Sequence, residues 1–171
     1  TITYMKRYNS LNDYLKNKYN RKLYKISLDS RFTCPNRDGT KGVGGCIFCS
    51  CGGSGEFAEG GNDVKTQLSR AKERIKAKTK GDCGYIAYFQ SFTNTYAPVE
   101  VLKEKFFSIL DDEEVKIISI ATRPDCLGEE VLSLLKELNE KIPVWVELGL
   151  QTSNEHTVEL INRCYENEIF V

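Results

Sequence analysis

The sequence predicts an α/β fold built on a parallel β-sheet. Four short segments rich in β-branched and aromatic residues alternate with amphipathic segments of ten or more residues, and this pattern is typical of strands joined by helical crossovers. The 171 residues, of which 40% are apolar and 28% charged, are enough for a single domain over 1–171, but a complete (β/α)8 barrel takes about 250. The pattern therefore fits either an open doubly wound sheet or part of a barrel.

The first element is a predicted helix over about residues 10–19. Leu11, Leu15 and Tyr19 share one helical face, and Ser10 with Asp13 resembles a capping pair. We expect residues 1–22 to form a helical extension that precedes the sheet. The predicted strands are 23–29, 85–89, 115–120 and 144–150; the predicted helices begin near residues 62, 98 and 129, with a last one from Thr152 or Ser153.

Charge and hydropathy narrow the function classes. No apolar run approaches the roughly 18 residues that a membrane span needs, and the first thirty residues lack a signal-peptide core. We therefore expect a cytoplasmic protein without a membrane partner. The 24 basic and 24 acidic residues are unevenly spread, since residues 1–80 hold 17 basic and 7 acidic side chains. This excess indicates an anionic partner near the N-terminal part.

The strongest motif is a cluster of cysteines, Cys34, Cys46 and Cys49, in a C-x11-C-x2-C spacing. The last two can clasp one metal centre, and the glycines between them and Cys34 allow the chain to fold back. Cys34 follows the first predicted strand, which puts the motif at the carboxyl end of the sheet, where parallel α/β folds place their chemistry.

Three thiolates leave several outcomes open. A [4Fe–4S] cluster held by three cysteines keeps one iron free for another ligand. A structural zinc site takes four ligands, and Cys51 is close enough in sequence to be the fourth. The third outcome is a set of reduced cysteines without metal. The lone His156 is far away in sequence and is interpreted as an exposed helix residue.

The motifs together resemble the radical S-adenosylmethionine (SAM) enzymes, specifically the YhcC/YtqA-like group. The resemblance covers nearly the whole chain. Its carriers are KRYNSL (6–11), KISLD (25–29), CPNRDGT (34–40), GGCIFC (44–49), YFQSFTNTY (88–96), TRPD (122–125) and ELGLQT (147–152).

This resemblance implies a partial (β/α) barrel with about four β/α units present, in which Cys34, Cys46 and Cys49 hold a [4Fe–4S] cluster that binds SAM and cleaves it to a 5′-deoxyadenosyl radical. It also implies that Phe48, just before the last cysteine ligand, lies against the adenine of SAM. The other implied SAM contacts lie on or after the later strands and are Gln90, Ser91, Thr93, Arg123, Glu147 and Gln151. Packing or capping is the alternative for Phe48 and Gln151, loop hydrogen bonding for Ser91 and Thr93, and a turn bonded to backbone carbonyls for Arg123.

Two features depart from the family pattern. The family has about two further strand–helix units, so the chain is interpreted as the N-terminal part of a longer barrel. Cys51 is a spectator or a competing ligand. We expect the remaining cysteines, Cys83, Cys126 and Cys164, to be small semi-buried residues without a shared metal site.

The resemblance extends to the elongator catalytic subunit and the methylthiotransferases, which implies tRNA as substrate, at a wobble uridine. The basic N-terminal segment, the basic helix over 65–80 and the interleaved Tyr4, Tyr8, Tyr14 and Tyr19 agree with this. A protein or small-molecule substrate is the first alternative, and a zinc-stabilised RNA-binding module without catalysis is the second. An electron donor such as flavodoxin or ferredoxin is the further partner that this chemistry implies.

Overall fold

The computed structural model describes residues 7–53, 58, 61, 63–79 and 81–171. Within them the predicted parallel sheet is confirmed. Its strands pair only in parallel, in the order β1-β2-β3-β4, and are β1 (Lys22–Asp29), β2 (Cys83–Gln90), β3 (Val115–Thr122) and β4 (Val144–Leu148). Strands that follow one another without a reversal of order are the arrangement of a barrel segment, whereas a doubly wound sheet reverses its order. The fold is therefore the barrel-type α/β arrangement.

Helices alternate with the strands as predicted. They are α1 (Leu11–Tyr19), α2 (Val64–Lys78), α3 (Val99–Phe107), α4 (Glu129–Asn139) and α5 (Glu155–Leu160). The side chain of Ser10 accepts a hydrogen bond from the Asp13 amide, which confirms the predicted cap of α1. The predicted start of α2 at residue 62 lies outside the described residues.

Two boundaries differ from the prediction at the C-terminal end. Helix α5 begins at Glu155 and not at Thr152 or Ser153, because the Asn154 side chain caps it by accepting from the Thr157 amide. Strand β4 ends at Leu148, two residues early, since Gln151 adopts the left-handed region with φ +67° and turns the chain away.

The two faces of the sheet have different cores. The outer face packs against α2, α3 and α4 in a core that includes Leu28, Phe89, Ile120, Leu102 and Leu138, each 0% exposed. The opposite face, here called the inner face, is apolar only at its amino-terminal end. There Leu15 of α1 packs on Leu23, Ile86 and Ile117. Towards the carboxyl ends of the strands the inner face becomes polar, and this polar end leads into the site.

Among the described residues, no helix combines the length and apolar character that crossing a bilayer requires.

Candidate active site at the carboxyl edge of the sheet

The loops that follow the four strands enclose a cavity of about 430 Å³ at the carboxyl edge of the sheet. Each loop contributes to its lining: Cys34 after β1, Thr93 after β2, Arg123 after β3 and Gln151 after β4. Tyr165 adds a wall from the C-terminal segment. All four loops converge because parallel strands end at the same edge of a sheet.

The three predicted metal ligands lie together in this cavity, since Cys34, Cys46 and Cys49 all line it. The Cys49 amide donates to the Cys46 carbonyl at 2.9 Å and closes a tight turn between these two ligands. Gly44 and Gly45, with φ +79° and +82°, take the left-handed backbone that returns the chain towards Cys34. The structure thus brings the C-x11-C-x2-C motif to one place.

Two of the three thiols influence each other's ionisation. The neighbouring Cys46 side chain lowers the pKa of Cys49 to about 6, whereas Cys49 and burial raise the pKa of Cys46. The guanidinium of Arg37 also lowers the pKa of Cys49. Asn36 Nδ2 lies 3.4 Å from Cys46 Sγ. A metal centre would displace the proton of Cys46, because thiolates rather than thiols are metal ligands.

The donor set fits an iron–sulfur cluster better than a zinc ion. Cys51 is exposed and is not part of the cavity wall, so it does not complete a four-thiol site. Over the described ranges, no three His, Cys, Asp or Glu side chains are spaced to hold a single metal ion. A [4Fe–4S] cluster held by three thiols keeps one iron open, and the cavity that these three thiols line extends to residues from the other strand ends.

Most of the residues implied as SAM contacts also line the cavity, namely Phe48, Thr93, Arg123, Glu147 and Gln151. Gln90 and Ser91 are buried at the end of β2 and are not in the lining. Ser91 and Phe92 have φ +80° and +59°, and this left-handed turn places Phe92 and Thr93 at the cavity instead. Thr93 is 1% exposed, and its hydroxyl has no hydrogen-bond partner in the described part of the chain.

The guanidinium of Arg123 donates hydrogen bonds to other groups of the protein. Its Nε and Nη2 donate to the two carboxylate oxygens of Asp125 at 2.8 Å each, and Nη1 donates to the Arg163 carbonyl at 2.9 Å. Burial opposes the charge, but the Asp125 carboxylate outweighs it and raises the pKa of Arg123. Arg123 therefore anchors the C-terminal segment to the cavity wall, as in its alternative interpretation as a turn residue.

Glu147 is held by one side chain from β1 and one from β3. Lys25 Nζ donates to its Oε1 at 2.6 Å, and the Ser119 hydroxyl donates to the same oxygen. Glu147 lines the cavity, whereas Lys25 and Ser119 do not.

Several cavity residues were not among the predicted contacts. Tyr88 could have been found, because alternation along β2 places it on the inner face with Gln90. The contact between the cysteine loop and the C-terminal segment leaves no local pattern in the sequence. Asn36 Nδ2 donates to the carbonyls of Asn162 and Arg163, more than 120 positions later in the sequence. Arg163 itself is 1% exposed and donates to the carbonyls of Leu150 and Thr152.

The remaining cysteines do not converge on a second site. Cys83 is buried, and Cys126 and Cys164 are partly buried. Burial raises the pKa of Cys126 to about 12, so its thiol stays protonated at neutral pH.

A family model described as the Radical SAM superfamily matches residues 34–171. Protein YtqA of Bacillus subtilis (strain 168) is 54% identical over 169 residues, which are 97% of this chain and 52% of YtqA. Protein YhcC of Escherichia coli (strain K12) is 36% identical over 158 residues, 89% of this chain and 50% of YhcC. MJ0486 of Methanocaldococcus jannaschii is 38% identical over 157 residues, 90% of this chain and 47% of MJ0486. The chain spans about half the length of these curated relatives.

Among solved structures, the chain is similar to the archaeal Elp3 of Methanocaldococcus infernus with an N-terminal deletion of residues 1–46. The TM-score is 0.54 at 15% sequence identity, and the match covers 86% of this chain and 33% of the Elp3 chain. At this identity the likeness concerns the fold alone.

Proposed function

The chain belongs to the radical SAM superfamily, and from that premise we propose that it is part of an enzyme that holds a [4Fe–4S] cluster through Cys34, Cys46 and Cys49 and cleaves SAM. The observation that carries this proposal is the meeting of these three thiols in one cavity with residues from the other strand ends. When bound, the cluster supplies an electron that breaks a carbon–sulfur bond of SAM, and the resulting 5′-deoxyadenosyl radical takes a hydrogen atom from the substrate.

The cavity residues supply binding and the exclusion of water. The unpartnered hydroxyl of Thr93 is available to hydrogen-bond a polar ligand group. Phe48 is 54% exposed and offers an aromatic surface for a base to stack on. Glu147 accepts hydrogen bonds from ligand hydroxyls, and Gln151 both donates and accepts. Tyr88 is an aromatic wall that shields a reactive radical from solvent.

Anaerobic reconstitution tests the ligand set. The chain should take up about four iron and four sulfide per molecule, and Cys34→Ala, Cys46→Ala and Cys49→Ala should each lose most of this iron. Cys51→Ala is the matched control, because Cys51 lies in the same loop but outside the cavity wall, and it should keep its iron. A protein that binds one zinc and no iron would support the RNA-binding module instead.

Reduction of the reconstituted protein with dithionite in the presence of SAM tests the reaction. We expect 5′-deoxyadenosine and methionine to form in equal amounts. Iron-loaded protein that leaves SAM intact would contradict the catalytic part of the proposal for this chain, which spans about half of its relatives.

For the substrate we propose tRNA, modified at a wobble uridine. Support comes from the solvent-exposed side of α1 and the segment before it. There Tyr8 and Tyr14 are 71% and 43% exposed, and Lys18 Nζ lies 5.8 Å from the centre of the Tyr14 ring. Exposed aromatic rings beside cations can stack on unpaired bases and contact phosphates. Tyr19 instead packs against the core of Leu15. Tyr4 and Lys6 lie outside the described residues.

The lysines of α2 add little to this support, because acidic partners hold three of them. Lys65 contacts Asp111, Lys72 contacts Asp112, and Lys76 contacts Glu114, at 2.5 to 3.2 Å. This pairing favours the second candidate, a protein or small-molecule substrate for which the basic runs are surface features.

Two measurements separate these substrate classes. If tRNA binds, its affinity should fall steeply between about 50 and 200 mM salt, because phosphate contacts release counterions, and Lys18→Glu should weaken it more than Lys76→Glu does. Comparison of tRNA nucleosides from cells with and without the gene is the second measurement. An unchanged nucleoside profile would favour the protein or small-molecule substrate.

A small electron-transfer protein such as flavodoxin or ferredoxin is the proposed reductant, in the cytoplasm. Val43 and Ile47, in the loop that carries the cysteines, are 75% and 71% exposed, and exposed apolar side chains beside a redox centre offer a docking surface. Val43→Asp with Ile47→Asp should slow reduction by flavodoxin and leave reduction by dithionite unchanged. Equal rates with flavodoxin would contradict this docking.

A further inference from the structure

One buried side-chain amide reaches both the C-terminal segment and a predicted cluster ligand. Asn36 lies in the cysteine loop and is 0% exposed. Its Nδ2 lies 2.6 Å from the Asn162 carbonyl oxygen and 3.0 Å from the Arg163 carbonyl oxygen. The same nitrogen lies 3.4 Å from Cys46 Sγ, which is within hydrogen-bond range because sulfur is a larger acceptor than oxygen.

The surroundings fix which end of this amide faces the thiol. If the nitrogen and the oxygen exchanged places, Oδ1 would face two carbonyl oxygens, and none of the three could donate. Asn36 Oδ1 has no hydrogen-bond partner in the part of the chain that the structure describes, so the acceptors around Nδ2 set the orientation. The amide therefore presents a donor to Cys46.

One N–H of Asn36 is available to the sulfur without leaving a carbonyl unpartnered. Nδ2 carries two hydrogen atoms and has three acceptors. The Arg163 carbonyl also receives a hydrogen bond from Arg123 Nη1 at 2.9 Å, so it stays partnered when one N–H turns to Cys46. A thiolate that ligates a metal is negatively charged and attracts this N–H more strongly than a neutral thiol does.

We propose that Asn36 is a positioning residue whose N–H raises the reduction potential of the cluster that Cys46 helps to hold. The inference rests on the proposed function, which assigns a [4Fe–4S] cluster to the three thiols of the cavity. Reduction moves one electron from an external donor to the cluster and forms or breaks no bond, so negative charge on the ligand sulfurs increases. A hydrogen bond to a ligand sulfur stabilises the reduced form more than the oxidised form, and such bonds help to set the potential of iron–sulfur centres.

Burial strengthens the expected effect. Asn36 is fully buried and Cys46 is partly buried, so little water competes for the N–H, and a hydrogen bond is electrostatically stronger in such surroundings than in water. At a given potential of the electron donor, a higher cluster potential gives a larger reduced fraction. The contact would therefore ease electron transfer from a donor such as flavodoxin or ferredoxin.

A redox titration of the reconstituted chain, followed by EPR, tests the proposal. Asn36→Ala removes the donor, and the ratio of reduced to oxidised cluster at a fixed solution potential should fall by about tenfold, which is about 59 mV for a one-electron couple. Asn162→Gly is the matched control. It removes the hydrogen bond from Asn162 Nδ2 to the Gly45 carbonyl in the same loop, 2.8 Å long, and glycine accepts the φ of +55° at this position. No donor to a ligand sulfur is lost, so the potential should equal that of the parent chain.

A second measurement does not depend on the stability of Asn36→Ala. With asparagine labelled at Nδ2 with nitrogen-15, pulsed EPR of the dithionite-reduced parent chain should detect a nitrogen-15 coupling to the cluster. Asn162→Gly should retain this coupling, because Asn36 is unchanged in it. Asn36→Ala should lose it.

Equal potentials in Asn36→Ala and the parent chain would overturn the proposal. An equal fall in Asn162→Gly would also overturn it, because displacement of the loop rather than the N–H would then set the potential. The absence of a nitrogen-15 coupling in the parent chain would overturn it even where Asn36→Ala holds no cluster. Failure of the proposed function is a different result, since the parent chain then takes up no iron, and this inference falls with it.

Discussion

Replacing Asn36 with alanine should loosen the cysteine loop from the C-terminal segment. Asn36 is 0% exposed, and its Nδ2 donates to the carbonyls of Asn162 and Arg163 at 2.6 and 3.0 Å. The same nitrogen lies 3.4 Å from Cys46 Sγ. Alanine removes this donor from all three acceptors at once and fits the remaining space.

The expected loss of stability in Asn36→Ala follows from the hydrogen bonds that each acceptor retains. The Arg163 carbonyl retains a hydrogen bond from Arg123, so its loss is about 1 kcal/mol, whereas the Asn162 carbonyl loses its main donor at about 1–3 kcal/mol. Asn36 Oδ1 has no partner among the described residues, and its removal offsets part of this loss. The net destabilisation is about 2 kcal/mol, which lowers Tm by about 4–8 °C for a chain of this length.

Thermal unfolding followed by circular dichroism measures this shift. Asn17→Ala is the matched control, because Asn17 is exposed on α1 and surface changes usually stay within about 0.5 kcal/mol. Asn36→Asp should lower Tm further than Asn36→Ala, since it places carboxylate oxygens against carbonyl oxygens. If Asn36→Ala melts at the temperature of Asn17→Ala, the hydrogen bonds of Asn36 do not hold the loop to the C-terminal segment.

Three further predictions concern stability and use urea unfolding. Leu15→Ala should cost about 2–4 kcal/mol because Leu15 is 4% exposed on the inner-face core, whereas Leu11→Ala on the same helix, at 57% exposure, should cost less than about 0.5; equal costs would contradict the packing of α1. Lys72→Met should destabilise the protein at pH 7 and progressively less as the pH is lowered: the Lys72 hydrogen bond lowers the pKa of Glu114, so its contribution is lost as the pH falls through that lowered value. The reverse order would refute this. Gly53→Ala should cost about 1–2 kcal/mol, because Gly53 has φ +68° and a Cβ there would lie 3.0 Å from the Phe92 ring; an unchanged midpoint would show that the loop readjusts freely.

The strands and the cysteine loop were predictable because their signals are local. Buried parallel strands need continuous β-branched and aromatic runs such as 115–120, and the thiol spacing lies within sixteen consecutive residues. Element ends were less predictable. The cap by Asn154 competes with Thr152 and Ser153, which are equally good capping types, and only the folded chain selects one of them.

Contacts between distant parts of the chain left no signal in the sequence. Because two successive residues, Ser91 and Phe92, adopt the left-handed conformation, Thr93 rather than Ser91 lines the cavity. Neither residue type is one that predicts a left-handed turn from the sequence. The basic character of α2 indicated an anionic partner, yet the acidic run 111–114 that neutralises it lies about forty residues away. Such pairings depend on how α2 and the loop before β3 pack, which periodicity does not show.

The inner face changes in character along the strands, and this gradient accounts for where chemistry can occur. At the amino-terminal end, Leu15 of α1 seals it with an apolar core. In the middle, the ion pair of Lys25 and Glu147 forms a polar layer on the inner face without an unbalanced charge. At the carboxyl end, the thiols of the cysteine loop line one cavity together with residues from the loops after the other strands. Because α1 covers the amino-terminal end of this face, we expect a ligand to enter the cavity from the carboxyl edge, where parallel α/β sheets bind their ligands.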